Sequence, residues 1–267
     1  MRALLAVIAA LIGLTAATRL IAAAPRPSAG EGYLSAGQRF AALAGLDPPP
    51  AAGSLEAAQD LQIWRRTRAL LDSSRWAIAQ DDAGNAPDGG ARLFDCVLGA
   101  RLEAPQSPAV LRLLTRISAD AVATLEIARA RHDRARPNAS QPGPFCRVIS
   151  PRFPRAGGWP SAPAVIAEAW GRAIAAAVPD RAQATLARAR AAGESAAICG
   201  VNWASDVRAG LKLGDQIAAL ESSSGAYQSD LAAAARAIAE ARRAGLSNPR
   251  CAAEAEALAP DRSGVTR

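Results

Sequence analysis

Residues 105–136 read PQSPAVLRLLTRISADAVATLEIARARHDRAR. Leu111, Leu114, Ile117, Val122, Leu125 and Ile127 recur every three to four residues, which is the period of one face of an α-helix. Pro137 follows; it lacks the N–H that the next turn would need and so stops the pattern. Working outward, the same period appears on both sides. Ser54 to Ala79 carries Leu61, Trp64, Leu70 and Leu71 behind Ser54, a residue type suited to cap a helix. Further helical stretches run over 91–100, 163–178, 179–192, 197–221, 227–244 and 249–258. Pro163 falls in the first turn of its helix, where a missing N–H costs nothing. DDAGNAPDGG at 81–90 and the Pro/Gly-rich run at 137–161 read as loops. No stretch alternates with period two and no repeat is present, so the sequence predicts an all-α fold of one domain.

Composition agrees. Half of the 267 residues are hydrophobic but only 4% are aromatic. Alanine supplies most of the apolar count, which favours closely packed helices over sheets of β-branched residues. Four cysteines without a CxxC exclude zinc ribbons and thioredoxin-like motifs. His132 is the only histidine, which excludes a His-rich zinc site, a His–His relay and any phosphohistidine mechanism with a second His as acid. No metal-ligand cluster and no cofactor motif is visible.

Met1-Arg2, an apolar run to Ala17 and the small residues Ala22-Ala23-Ala24 read as a secretory signal over 1–24, cut after Ala24 or, earlier, after Ala17. An uncleaved anchor is the alternative, opposed by Arg19 within the run; no later stretch can span a membrane. Removing 1–24 takes away Arg2 and Arg19 and lowers the net charge from +7 to +5. That excess is mild and unclustered, so no nucleic-acid partner is expected. Residues 25–53, with PRPSAGEG and LDPPPAAG, form an extended lead-in to a domain over 54–260, and 261–267 form a tail. Export places the chain in the periplasm or outside the cell, where four cysteines make two disulfides. Three pairings are open; Cys96–Cys146 and Cys199–Cys251 are preferred because each brackets helices that must fold back.

Three blocks then stand in order: Arg129 to Pro137 (RARHDRARP), Pro160-Ser161-Ala162-Pro163, and Ser195-Ala196 followed by Asn202 and Asp206. Twenty-two residues separate the first two and 31 the last two. Together they resemble the class A bacterial acid phosphatases of the PAP2 superfamily, whose signature is KxxxxxxRP, PSGH and SRxxxxxHxxxD. Phe94-Asp95-Cys96, Gly157-Gly158-Trp159 and Leu46-Asp47-Pro48-Pro49-Pro50 agree with that family as well. The resemblance covers about residues 45–258 and implies a helical bundle that hydrolyses phosphomonoesters through phosphohistidine, without a metal.

Carried over residue by residue, the resemblance implies a damaged site. The nucleophile position holds Asn202, whose amide lone pair is delocalised. The acid position holds Pro163, which has no proton to give. The second arginine is Ala196, which removes a phosphate clamp. The glycine of PSGH is Ala162. Asp206, which would orient the missing imidazole, remains, as do Arg129, Arg136 and Ser161 toward phosphate. Asn202 also removes the vanadate chemistry of the superfamily. The expectation is a phosphatase relative without turnover that keeps a phosphate site. The alternatives are an active enzyme by another route, such as His132, and a non-enzymatic scaffold. Arg129 and Arg136, seven apart, are expected on one helix face, either as an anion cradle or as a structural pair in which Arg136 bonds Asp206 or a loop carbonyl. Ser161 and Asp206 are expected as helix caps, Trp159, Trp170 and Trp203 as core, and Arg181 to Arg190 as a solvated face.

Overall fold

The computed structural model describes residues 31–83, 90–102, 107–146, 156–259 and 265. The expected signal segment 1–24, most of the expected 81–90 loop and most of the expected 261–267 tail lie outside these. Ten α-helices and no strand occur among the described residues: α1 (Ala36–Ala41), α2 (Leu55–Arg68), α3 (Ser74–Asp82), α4 (Asp95–Leu98), α5 (Pro108–Arg131), α6 (Ala162–Ala177), α7 (Ala182–Ile198), α8 (Ala204–Glu221), α9 (Gly225–Ala244) and α10 (Cys251–Leu258). The all-α, single-domain reading holds.

Helix α6 is the axis, packed by α7, α8, α5 and α9. The alanine-rich composition explains how so many helices reach it. A Cβ on Gly214 of α8 would sit 2.5 Å from the Val165 carbonyl oxygen, and one on Gly210 would sit 2.6 Å from that of Ser161. Backbone therefore touches backbone, and the first turn of α6 is pinned against α8. Gly214→Ala should cost about 1–3 kcal/mol, as overpacking of a rigid contact does; urea unfolding measures it. The apolar core around α6 includes Leu113, Leu114, Ile117, Trp170, Ile174 and Ile238.

Several boundaries differ from the sequence reading. The 54–79 helix is two helices: Asp72 adopts φ 63° and Ser73 then caps α3 through the Trp76 N–H. The lead-in is not wholly extended, because Ser35 and Gln38 build a capping box for α1. The 197–221 stretch breaks at Gly200, with φ 77°. Helix α5 ends at Arg131, and His132 is already extended (φ −140°, ψ 104°). Arg136 is extended too (φ −77°, ψ 160°), as the residue before a proline should be. Arg129 and Arg136 therefore do not share a helix. The 181–190 face is not wholly solvated: Arg188 is buried and pairs with Asp82 at 2.7 Å and Glu254 at 3.2 Å.

The disulfides correct the preferred pairing. Cys96 joins Cys251 and Cys146 joins Cys199; Cys96–Cys146 and Cys199–Cys251 do not form. Helix α10 packs on α3 and α4, not on the end of α7, and the Cys146 N–H donates to the Cys199 carbonyl. Bracketing helices that fold back was a poor guide, because loop closure costs only about 0.6 kcal/mol more for each doubling of length and so hardly favours one pairing.

The segment before α1 is fastened by buried carboxylates. Asp120 accepts the Leu34 N–H at 3.2 Å and the Arg39 Nε at 3.0 Å. Asp230 accepts the Tyr33 hydroxyl at 3.0 Å and the Arg116 Nη1 at 2.8 Å. Glu221, fully buried, faces Asp120, and no donor reaches either of its oxygens. Burial first, then the Asp120 charge, pushes its carboxyl up to about 9. A raised acid pKa means that the folded state holds a proton the unfolded chain loses near pH 4–5. Stability from this group is therefore full below that range and falls as pH rises toward about 9. Glu221→Gln, which keeps a donor facing Asp120, should flatten the decline of melting temperature between pH 5 and 9.

Candidate functional site

The end of α5, the start of α6 and the α7–α8 turn meet at one end of the bundle. Arg129 occupies the last turn of α5. Ser161 stands at the N-cap of α6, yet its hydroxyl makes no capping bond. Asn202 lies in the α7–α8 turn and Asp206 in the first turn of α8. The Ser161 N–H donates to the Asp206 carbonyl at 2.9 Å, which fixes α6 to α8. Of the residues expected here, Arg129, Arg136, Ser161, Asn202 and Asp206 are gathered by these bonds and neighbours. Ala162 and Pro163 open α6 beside them. Ala196 is buried among Ile63, Trp76 and Ala164, and its carbonyl accepts the Val201 and Asn202 N–H groups.

Arg136 is the centre of a backbone clamp. Its Nε donates to the Ala156 carbonyl at 3.2 Å and its Nη2 to that of Gly157 at 3.0 Å. Its Nη1 donates to the Val201 carbonyl at 3.1 Å and to Asn202 Oδ1 at 3.2 Å. Asn202 returns Nδ2 to the Gly158 carbonyl at 2.6 Å. The loop-carbonyl alternative for Arg136 is thus the observed one. Gly158 is needed at this point, because a Cβ there would press 3.1 Å from Arg136 Cγ and 3.3 Å from Asp206 Oδ2.

Arg129 is different. Its Nε is buried and has no hydrogen-bond partner, and the same is true of Ser161 Oγ. Buried polar groups are almost always paired, and these two atoms are exceptions to that rule. Burial lowers the pKa of both arginines, and for Arg136 the like charge of Arg129 lowers it further. The like charge of Arg129 acting on Arg136 shows that two cationic side chains stand near each other at this end of the bundle.

Asp206 is occupied. It caps α8 through the Trp203 N–H at 2.9 Å, as expected of a capping residue, and accepts Arg134 Nη1 at 2.6 Å. The other arm of Arg134 reaches Asp60 at 2.7 Å, and Asp60 accepts the Ser205 N–H at 2.8 Å. Sequence reading missed Arg134 and Asp60. Burial pushes the Asp206 carboxyl up, against the pull of Arg134. His132 packs edge-on against Trp159, with ring centroids 5.0 Å apart. Trp159 and Trp170 are buried, while Trp203 is half-buried and donates its Nε1 to the Ala135 carbonyl. Among the described residues no group of three or more His, Cys, Asp or Glu could hold a metal, and no helix is long and apolar enough to cross a membrane.

The chain is 32% identical over 177 residues to an acid phosphatase of Zymomonas mobilis, covering 66% of this chain and 67% of that protein. The chain belongs to the bacterial acid phosphatase family. A non-specific acid phosphatase of Providencia stuartii is 31% identical over 180 residues, covering 66% and 72%. One of Salmonella typhimurium is 28% identical over 171 residues, covering 63% and 68%. No protein-family model matches the chain.

Proposed function

We propose that this protein is an exported acid phosphatase relative of the PAP2 type that binds phosphate or a phosphomonoester without hydrolysing it. The observation that carries the reading is the pair of buried, unpartnered groups, Arg129 Nε and Ser161 Oγ, beside the clamped Arg136. The anion would accept from Arg129 and Ser161, while Arg136 supplies charge and holds the loop walls. Loss of turnover is supported by the two positions where the family carries histidine. Asn202 is fastened at both ends of its amide, and Pro163 has no acidic proton. His132, turned onto Trp159, offers no replacement. Two disulfides and the leader-like N-terminus support a periplasmic or secreted location.

Calorimetric titration with inorganic phosphate tests the binding half. The wild-type protein should bind, and Arg129→Ala should weaken binding by about tenfold or more, the worth of a hydrogen bond to a charged group. Absence of binding, or affinity unchanged in Arg129→Ala, would overturn the reading. Binding should also weaken as salt rises, because the attraction is one of charge.

A further inference from the structure

The two disulfides stand in different surroundings. Cys146 and Cys199 are 6% and 1% exposed, enclosed in an apolar cluster with Ile63, Trp76 and Ile198. Cys96 and Cys251 are half-buried, and two cavities reach them. One, of about 590 Å³, is lined by both cysteines together with Ala187, Ala191, Ala255 and Leu258. The other, of about 290 Å³, is lined by Cys96 and not by Cys251. Arg92, Arg101, Arg188 and Arg250 line this smaller cavity beside Asp81, Asp82 and Glu254. The carboxylates are already engaged: Asp81 pairs with Arg250, and Asp82 and Glu254 pair with Arg188. The charge of Arg92, an exposed residue, is left for an incoming anion.

Apart from this disulfide, α10 is lightly held. Of its eight residues only Ala257 is buried, and a helix shorter than about 12–15 residues is marginal by itself in water. Cys251 is the first residue of α10, and no side chain caps that end. A thiolate formed there meets the positive end of the helix dipole, which stabilises it.

We propose that Cys96–Cys251 is a thiol-exchange site, opened by a low-molecular-weight thiol that enters the arginine-lined cavity and attacks Cys96. The incoming thiolate sulfur bonds to Cys96 Sγ as the bond to Cys251 breaks. Cys251 leaves with the electron pair as a thiolate and takes a proton from water. A second thiolate then attacks the reagent sulfur held on Cys96. That forms the disulfide of the reagent and releases Cys96 as a thiolate. Two reagent thiols are oxidised and one protein disulfide is reduced. Cys146–Cys199 stays closed, because its sulfurs are enclosed. Once the bond opens, α10 separates from the bundle and Glu254 leaves Arg188, which keeps Asp82. The site uses none of the residues proposed to hold phosphate, so the two readings stand or fall separately.

The folded full-length protein, treated with reduced glutathione at about pH 8, where a good share of such a thiol is ionised, tests the proposal. Alkylation and peptide mapping should show Cys96 and Cys251 labelled at least about tenfold faster than Cys146 and Cys199, as access to the sulfur dictates. Early acid quenching should trap glutathione on Cys96. Compared per thiolate, anionic mercaptoethanesulfonate should react faster than cationic cysteamine, and Arg92→Glu should narrow that difference. Hydrogen exchange over 251–258 should rise once the bond is open. Labelling of all four cysteines together, or of Cys146 and Cys199 first, would overturn the site. An adduct on Cys251 would overturn the direction of attack, equal rates for the two thiols the part given to Arg92, and a still-protected α10 its release.

Discussion

The purified protein should leave p-nitrophenyl phosphate untouched between about pH 4 and 8, a range that brackets the charge change of an imidazole. A variant carrying Pro163→His, Ala196→Arg and Asn202→His together should turn it over. The size of the difference follows from what is missing. Removing the nucleophile of a cooperative site costs about 10⁶-fold in a well-studied protease, and a positioned general acid is worth about 10²–10⁴-fold. Asn202→His alone should therefore stay about a hundredfold or more below the triple variant. Geometry sets a ceiling on the restored rate. Asp206, which would orient a new imidazole, already serves Arg134 and the Trp203 N–H. Ala196 sits in an apolar cluster, so a new guanidinium must find its way out of it. Hydrolysis by the wild-type chain above the blank would show that another group attacks phosphorus. His132→Ala is then the first variant to compare.

Much of this was legible in the sequence, and the parts that were not share a cause. Helix content was readable because the apolar period is local. Ser54, Ser73 and Pro108 mark helix starts by the same local chemistry. The break before α3 was also within reach, since Asp72-Ser73 is a turn followed by a cap. The run RARHDRARP was harder. Arg129, Arg131, Arg134 and Arg136 are alike as residues, and only tertiary contacts separate their work. Arg129 keeps a free buried Nε, Arg131 stacks on Phe40, Arg134 forks two carboxylates and Arg136 holds four backbone and side-chain acceptors. Disulfide partners were hidden for the same reason. Asp120 did leave a signal: it lies three residues past Ile117, on the stripe of Leu113, Leu114 and Ile117, where a carboxylate must have a buried partner.

Arg134→Met should cost about 3–5 kcal/mol, the usual loss when one partner of a buried ion pair is removed. Its two carboxylates are almost wholly enclosed: Asp60 is 1% exposed and Asp206 is 0%. Without the guanidinium both stay buried, like-charged and near enough for Asp60 to raise the Asp206 pKa. Methionine fills the stem volume, so the loss measures charge and hydrogen bonds more than packing. Arg134→Lys should recover only part of it, because an ammonium cannot reach both carboxylates as the planar fork does. Adding Asp206→Asn to Arg134→Met should restore part of the stability by removing one of the stranded charges. Urea unfolding at pH 7 measures all three, and a loss below about 1 kcal/mol in Arg134→Met would contradict the argument. The same network bears on catalysis. A carboxylate that holds α8 to α2 through Arg134 is less free to swing toward an imidazole, which is why the restored rate has a ceiling. In this chain the bonds that Asp206 makes to Arg134 and to the Trp203 N–H are those of a structural tie.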